Sequence, residues 1–230
     1  VDSMGKTQEQ NFNELKSHFP KDYEFVILTI DQKYMKAGDI LSPFEEQIEE
    51  VIQLIKKGEK IKMFLMIDCR RPMYFDLIKK YEKYISGFKI YNYMGTFPYD
   101  IRYEPLWKYA AKNNKPIILH CSRKNINYYR GKDIDILLNN SLFPLYKTNK
   151  SNKEKSSNFG NPQGIIKVAK DNVGVNYQIA HMGGEIELKK FIKNNEIKVL
   201  LNPILETKPV EQYSWTYQIL KACIDLPNVY

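Results

Sequence analysis

The sequence predicts an α/β fold in which helices cover a parallel sheet, and three observations support this prediction. Short apolar runs alternate with amphipathic segments along the chain. The apolar runs are hydrophobic throughout, which is typical of strands buried on both faces. No run is followed by a glycine-rich nucleotide-binding turn, G-x-G-x-x-G or G-x-x-x-x-G-K-[ST]. Two architectures remain open, a doubly wound sheet and a (β/α)8 barrel.

Five strands and six helices account for most of this pattern. The predicted strands are the runs EFVILTID (24–31), IKMFLMID (61–68), GFKIYNYM (87–94), KPIILHC (115–121) and VNYQIAHM (175–182). The predicted helices are SPFEEQIEEVIQLIKKG (42–58), MYFDLIKKYEKYI (73–85), YEPLWKYAAKNN (103–114), PQGIIKVAKDN (162–172), EIELKKFIKNN (185–195) and EQYSWTYQILKACI (211–224). A last stretch, LPNVY (226–230), begins a further element.

The helix over 42–58 carries the most complete end signals. Ser42 is predicted as its N-cap, Pro43 suits its first position, and Glu45 completes a capping box. Gly58 is expected to end it. The helix over 103–114 is expected to open near Asp100.

A polar excursion over 122–159 interrupts the alternation. It is far longer than an ordinary connection between a strand and a helix, so we expect it to be functional or mobile. Its lysine-rich part, KTNKSNKEKSSN (147–158), fits a solvated loop better than a phosphate-binding patch. We treat residues 1–230 as a single domain that carries this excursion.

Composition excludes several classes of protein. The net charge is +8, but it comes from dispersed lysines and not from a clustered patch, so nucleic acid is not an expected partner. The three cysteines lack metal-like spacing, and their odd number does not suit a disulfide framework. No apolar run reaches the roughly 20 residues of a membrane span, and the N-terminus does not read as a signal peptide. We expect a cytoplasmic protein without membrane partners, and leave homo-oligomer formation open.

Two of the three histidines close predicted strands. His120 ends PIILH and His181 ends YQIAH, each followed by small residues. The carboxyl ends of parallel strands hold the ligand sites in both candidate architectures. Two imidazoles converging there suit a divalent metal or acid–base chemistry. The third histidine, His18, is expected at the surface of a helical segment.

Other charged residues near strand ends have two interpretations each, one structural and one functional. Lys89 is either a salt-bridging lysine, or a partner for a substrate carboxylate or a carboxylated metal ligand. Asp68 and Arg71 either have a structural role, as caps of the next helix or as a pair with each other, or serve the site. Arg123 and Arg130, in the excursion, contact an anionic substrate or are merely solvated.

Cys121 stands directly beside His120. Because adjacent residues of a strand face opposite ways, we expect no Cys–His pair there.

Four stretches resemble, in this order, the amidohydrolase-related, metal-dependent TIM-barrel hydrolases, a group that includes decarboxylases of aromatic and related acids. They are GFKIYNYMGTFPYD (87–100), PLWKYAAKNNKPIILHCS (105–122), AHMGGEIELKKF (180–191) and LPNVY (226–230). FLMIDCRRP (64–72) is also similar to the third-strand segment of that family. The resemblance runs from about Glu24 to Tyr230. It implies an α/β fold of the (β/α)8 TIM-barrel type, with this chain covering roughly strands two to seven.

The resemblance also implies a site. His120 matches the strand-five ligand of a divalent metal, usually zinc, with manganese or iron as alternatives. His181 matches the strand-six histidine that acts on the metal-bound water or the substrate. Lys89 lies where some relatives carry a strand-four lysine, and Tyr91 replaces a histidine often found two positions later. The substrate-binding candidates are then Lys89, Arg123 and Arg130.

Two parts of the family pattern are missing from this sequence, the His-x-His pair of strand one and the aspartate of strand eight. We therefore expect the chain to be part of a longer polypeptide. The implied function is a metal-dependent hydrolase that acts on a small, acidic substrate through a metal-activated water. The alternatives are a non-oxidative decarboxylase on the same scaffold and a metal-free, degenerate barrel that serves as a binding module.

Overall fold

A sheet of five parallel strands organises the chain in the computed structural model, which describes residues 6–40, 42–123, 128–145 and 151–230. The strands are β1 (Phe25–Leu28), β2 (Ile61–Met66), β3 (Ile85–Ile90), β4 (Ile117–Ser122) and β5 (Tyr177–Gly183). Their order in the sheet is β1-β2-β3-β4-β5, so each strand pairs with its neighbour in the sequence. All five apolar runs predicted as strands are confirmed.

The predicted (β/α)8 TIM barrel is wrong for the residues that the structure describes. The five strands form a curled half-barrel, and the sheet does not close on itself. The stretch 226–230, where the family resemblance implied another strand, makes only one parallel bridge, between Tyr177 and Val229. Closing a barrel of this kind takes eight tilted strands with a matching stagger, and five strands supply only part of that circumference.

Helices connect successive strands, precede the first strand and follow the last. The described residues contain ten α-helices in all. They are α1 (Gln8–Ser17), α2 (Phe44–Lys56), α3 (Tyr74–Tyr81), α4 (Glu104–Lys112), α5 (Asp133–Leu138), α6 (Asn152–Lys155), α7 (Pro162–Asp171), α8 (Glu185–Lys193), α9 (Glu196–Leu201) and α10 (Trp215–Asp225). Within the described ranges, none of them combines the length and hydrophobicity that crossing a membrane requires.

The core lies between the outer face of the sheet and the helices. Met63, Leu65, Phe88 and Leu119 alternate along β2, β3 and β4, and each is completely buried. Their helical partners are apolar side chains spaced three or four residues apart, such as Ile48 and Ile52 of α2. Burying each such side chain stabilises the fold by about 1.5–3 kcal/mol. The other face of the sheet is the inner face of the half-barrel.

The predicted helix ends are only partly confirmed. The capping box of Ser42 and Glu45 is wrong, because α2 begins at Phe44 and Pro43 occupies the N-cap position without a side-chain hydrogen bond. Asp100 does open the next predicted segment, since its side chain accepts a hydrogen bond from the Arg102 N–H at 3.0 Å. The excursion over 122–159 contains α5 and α6, and it runs into a 3-10 helix, Ser156–Gly160.

Candidate functional site

His120 and His181 meet at the carboxyl ends of β4 and β5. Their ring centroids lie 4.3 Å apart, with the planes inclined at 55°. Lys89 pairs with Ile118 in the register of β3 and β4, and His120 follows Ile118 by two residues. Because paired residues of parallel strands share a face, Lys89 and His120 both lie on the inner face of the half-barrel. The structure thus brings together three of the five predicted site residues.

An irregular strand end brings His181 to the same face. Ala180 pairs with His120, so regular alternation would direct His181 to the opposite side. The register shifts here, and the left-handed backbone of His181 and Met182, with φ of 70° and 50°, turns the strand. A left-handed residue other than glycine costs about 1–2 kcal/mol. Such strain is concentrated at functional sites.

Glycines follow this turn. Gly184 has φ of 83°, and a Cβ added there would lie 2.6 Å from Ser122 Oγ. The Gly183-Gly184 pair therefore lets the ends of β4 and β5 approach closely.

Two tyrosines form the wall of the site, Tyr91, noted in the sequence only as the replacement of a family histidine, and Tyr93, which was not predicted. The Tyr91 ring lies 5.2 Å from the His120 ring at 35°, and the Tyr93 ring lies 4.7 Å away and nearly edge-on. Lys89 Nζ stands 4.6 Å from the centre of the Tyr91 ring. Lys89, Tyr91 and Tyr93 are spaced by two residues from the end of β3, and this spacing is the signal that could have revealed them.

Burial controls the charges of the site. Lys89 is only 1% exposed, and desolvation lowers its pKa to about 8. Burial, followed by the charges of Lys89 and His181, lowers the pKa of His120 to about 3. Burial and Lys89 also lower the pKa of His181. Both imidazoles are therefore neutral at pH 7, the form that accepts protons and binds metals.

The buried polar atoms of the site are incompletely paired. Among the described residues, no carboxylate forms an ion pair with Lys89. His120 Nδ1 is buried and has no hydrogen-bond partner there. Buried polar groups of folded proteins are usually paired with the protein, with ordered water, or with a bound ion or ligand.

The donor set fits a divalent metal in part. Neutral imidazole nitrogens suit zinc, manganese or iron, and the unpartnered Nδ1 of His120 is such a donor. Across the described ranges, however, no three His, Cys, Asp or Glu side chains come together as a metal-binding group. Two imidazoles alone would fill only two of the four ligand positions of a usual zinc centre.

Among the contacts of the described residues, none joins Arg123 or Arg130 to the histidines. Arg123 Nε lies 2.5 Å from Glu187 Oε1, and the guanidinium stacks 4.6 Å over the Trp215 ring. Glu187, 1% exposed, also accepts a hydrogen bond from the Trp215 N–H at 2.8 Å. This cluster fastens α8 and α10 to the end of β4. Arg130 is exposed on the excursion.

The charged residues after β2 pair in a different way from that predicted. Asp68 binds Arg70 through both carboxylate oxygens, at 2.8 and 2.6 Å. Arg71 donates to Asp31 at 2.7 Å. The predicted Asp68–Arg71 side-chain pair is wrong, because the short step from Asp68 to Arg70 favours their own bidentate contact. Asp31, at the end of β1, was missed because its partner lies 40 residues away.

Two smaller predictions are confirmed. Cys121 points away from His120 and donates to the Gly160 carbonyl at 3.3 Å. His18 is exposed at the end of α1.

A cleft of about 630 Å³ lies elsewhere, between α7 and α10, and Lys89, His120 and His181 are not among its lining residues. Comparison of the chain with protein-family models, with curated proteins and with solved structures gives no match.

Proposed function

We propose that the protein is a metal-dependent hydrolase that acts on a small, acidic substrate at the carboxyl ends of β3, β4 and β5. One observation carries the proposal: two neutral histidines lie in contact beside a buried lysine that has no carboxylate partner among the described residues. The resemblance of the sequence to the amidohydrolase-related hydrolases supports the same proposal.

His120 would hold the metal, and His181 would act on the metal-bound water or the substrate. His120 is the more enclosed of the pair and offers a buried ring nitrogen, whereas His181 is exposed and faces the side from which a substrate arrives. Zinc is the proposed ion, with manganese or iron as alternatives. When bound, such an ion polarises the scissile group and lowers the pKa of a coordinated water.

Lys89 would bind the acidic group of the substrate. With a pKa of about 8 it is mostly charged at pH 7, yet it is desolvated, so an incoming carboxylate meets a strongly attractive ammonium. The adjacent Tyr91 ring provides an apolar surface for the rest of a small molecule.

Metal binding is the first test. Zinc titrated calorimetrically into the metal-free protein is expected to bind at about one equivalent, and His120→Ala is expected to abolish that binding. His18→Ala is the matched control, since His18 is exposed at the end of α1, and it should bind as the wild type does. Equal zinc binding by the wild type and His120→Ala would refute the proposed site.

Product analysis then defines the reaction. Incubation of the zinc-loaded protein with a panel of small carboxylic amides and esters is expected to give hydrolysis products. Release of CO2 from a carboxylic acid substrate would instead indicate the non-oxidative decarboxylase.

A second candidate is a metal-free binding module for small carboxylates. It is favoured by the finding that the described residues contribute no third metal-binding side chain. In that case the protein binds carboxylates equally well in the presence of a chelator, Lys89→Met abolishes binding, and no substrate is turned over.

A further inference from the structure

Tyr93 connects the end of β3 to the end of β4. It lies in the 3-10 helix Asn92–Met94 and is completely buried. Its ring meets the His120 ring edge-on, with the centroids 4.7 Å apart. Its hydroxyl accepts a hydrogen bond from the backbone N–H of Ser122 at 2.8 Å. One side chain therefore touches the imidazole of His120 and holds the backbone two residues further along β4.

The 3-10 helix Ser156–Gly160, where the excursion ends, reaches this tyrosine at Gly160. A Cβ added at Gly160 would lie 2.0 Å from Tyr93 Oη and 2.2 Å from Cζ, far closer than atoms can approach. The glycine is thus required by space, because the phenol occupies the position that any side chain would take.

The rest of the segment Ser156–Gly160 is fastened around Tyr93. All five of its residues are buried. The Phe159 carbonyl accepts from Asn92 Nδ2 at 2.6 Å, and the Gly160 carbonyl accepts from Cys121 Sγ. Ser157 Oγ donates to the Arg123 carbonyl at 2.7 Å. The neighbours of Tyr93 and of His120 in the sequence are therefore both bound by this one segment.

We infer that Tyr93 is a positioning residue for His120, and that Gly160 is needed because it leaves space for the Tyr93 phenol. The inference rests on the proposed function, which gives His120 its role. Through these contacts the distal end of the excursion determines where the His120 imidazole stands. Groups that orient a metal-binding histidine typically affect metal affinity 10–100-fold.

The three histidines of the chain make the test direct. In protein labelled with ¹³C at histidine Cε1, three ring signals are expected, and His120→Ala identifies that of His120. Tyr93→Phe keeps the ring but removes the hydroxyl that anchors it to Ser122. We expect it to move the His120 signal and to weaken zinc binding about tenfold. Gly160→Ala is expected to move the same signal, because the added methyl displaces the phenol.

Tyr103→Phe is the matched control. Tyr103 is 1% exposed and its hydroxyl is hydrogen-bonded to Thr96 Oγ1 at 3.1 Å, so this variant also loses buried hydrogen bonding. It should lower Tm about as much as Tyr93→Phe, leave the His120 signal in place and keep zinc affinity within twofold.

An unmoved His120 signal in Tyr93→Phe, with a fall in Tm like that of Tyr103→Phe, would overturn the positioning role. An unmoved signal in Gly160→Ala would overturn the role of the glycine. If the wild type binds no zinc, the proposed function fails, while the His120 signal still decides whether Tyr93 positions the ring.

Discussion

The two halves of the carboxyl edge of the sheet differ in whether their buried charges are paired. At the ends of β1 and β2, Asp31 and Asp68 are 1% and 2% exposed, and each is bound to an arginine. At the ends of β3 to β5, Lys89 is equally buried, yet within the described residues it has no carboxylate partner. A buried charge that is paired maintains a structure, whereas one that is unpaired costs stability and is available to a ligand.

The paired half also supports the unpaired one. Besides Asp68, Arg70 donates to the Met94 carbonyl at 2.7 Å and to the Tyr129 hydroxyl at 2.7 Å. Met94 belongs to the same 3-10 helix as Tyr93, which contacts His120. The planar guanidinium suits this task because it can bind several acceptors at fixed angles. Arg70, in the first half, thus holds the 3-10 helix whose Tyr93 contacts His120 in the second half.

A substitution at Asp68 tests this comparison most directly. Asp68→Asn leaves the Arg70 guanidinium, 14% exposed, without its counter-charge, and we expect the free energy of unfolding to fall by about 3 kcal/mol. Urea unfolding followed by tryptophan fluorescence measures the change. Asp171→Asn is the control, because the Lys167–Asp171 pair is exposed on α7 and is worth no more than about 0.5 kcal/mol. Equal losses in the two variants would show that burial does not determine how much these ion pairs contribute to the free energy of unfolding.

Lys89→Met tests the unpaired half. It replaces a desolvated ammonium with an apolar side chain of similar length, so we expect it to stabilise the fold by about 2 kcal/mol at pH 7. The folded pKa of about 8 lies below the value of 10.5 for a solvated lysine. The wild type therefore recovers stability as the pH rises from 8 to 10.5, and the advantage of the variant shrinks over that range. A loss of stability in Lys89→Met at pH 7 would mean that the ammonium is satisfied in the fold.

The depressed pKa of His120 gives a smaller, pH-dependent effect. In the unfolded chain the imidazole takes up a proton near its usual pKa of 6.5, but in the folded protein only near 3. The contribution of neutral His120 is therefore complete above pH 6.5 and is lost as the pH falls toward 3. Relative to His120→Gln, the wild type should lose about 1.5 kcal/mol between pH 6.5 and 5. Urea unfolding curves of both proteins at several pH values check this, and a constant difference between them would contradict it.

The left-handed turn of β5 gives the smallest expected effect. His181→Gly relieves about 1–2 kcal/mol of backbone strain but adds flexibility to the unfolded chain, for a net gain of about 0.5 kcal/mol. Ala180→Gly, one residue earlier in the paired part of the strand, adds the same flexibility without relieving strain and should cost about 0.5–1 kcal/mol. Urea unfolding compares them, and a loss in both variants would show that the turn is not strained.

The sequence was sufficient for elements whose cause is local. Five uniformly apolar runs predicted the five strands, and because parallel strands end at one edge, His120 and His181 could be expected to meet. Cys121 was likewise placed correctly by strand alternation.

Features that depend on distant partners were not predictable in this way. The register shift that turns His181 arises between β4 and β5, and Arg71 finds Asp31 across 40 residues. The capping box at Ser42 failed because Pro43 takes the cap position itself. The barrel failed because its closure is a property of the whole sheet, which no single strand encodes. The roles of His120, His181, Lys89, Arg123 and Arg130 stay predictions.

The order of the strands has a consequence for how the chain is made. Each of the five described strands after β1 pairs with the one before it in the sequence, and none of the five is inserted between two earlier ones. As a ribosome releases the chain, every new strand and helix can therefore dock on an edge that is already formed. On this order Lys89 emerges before His120, and His120 before His181, so the site is completed only when the fifth strand has been synthesised.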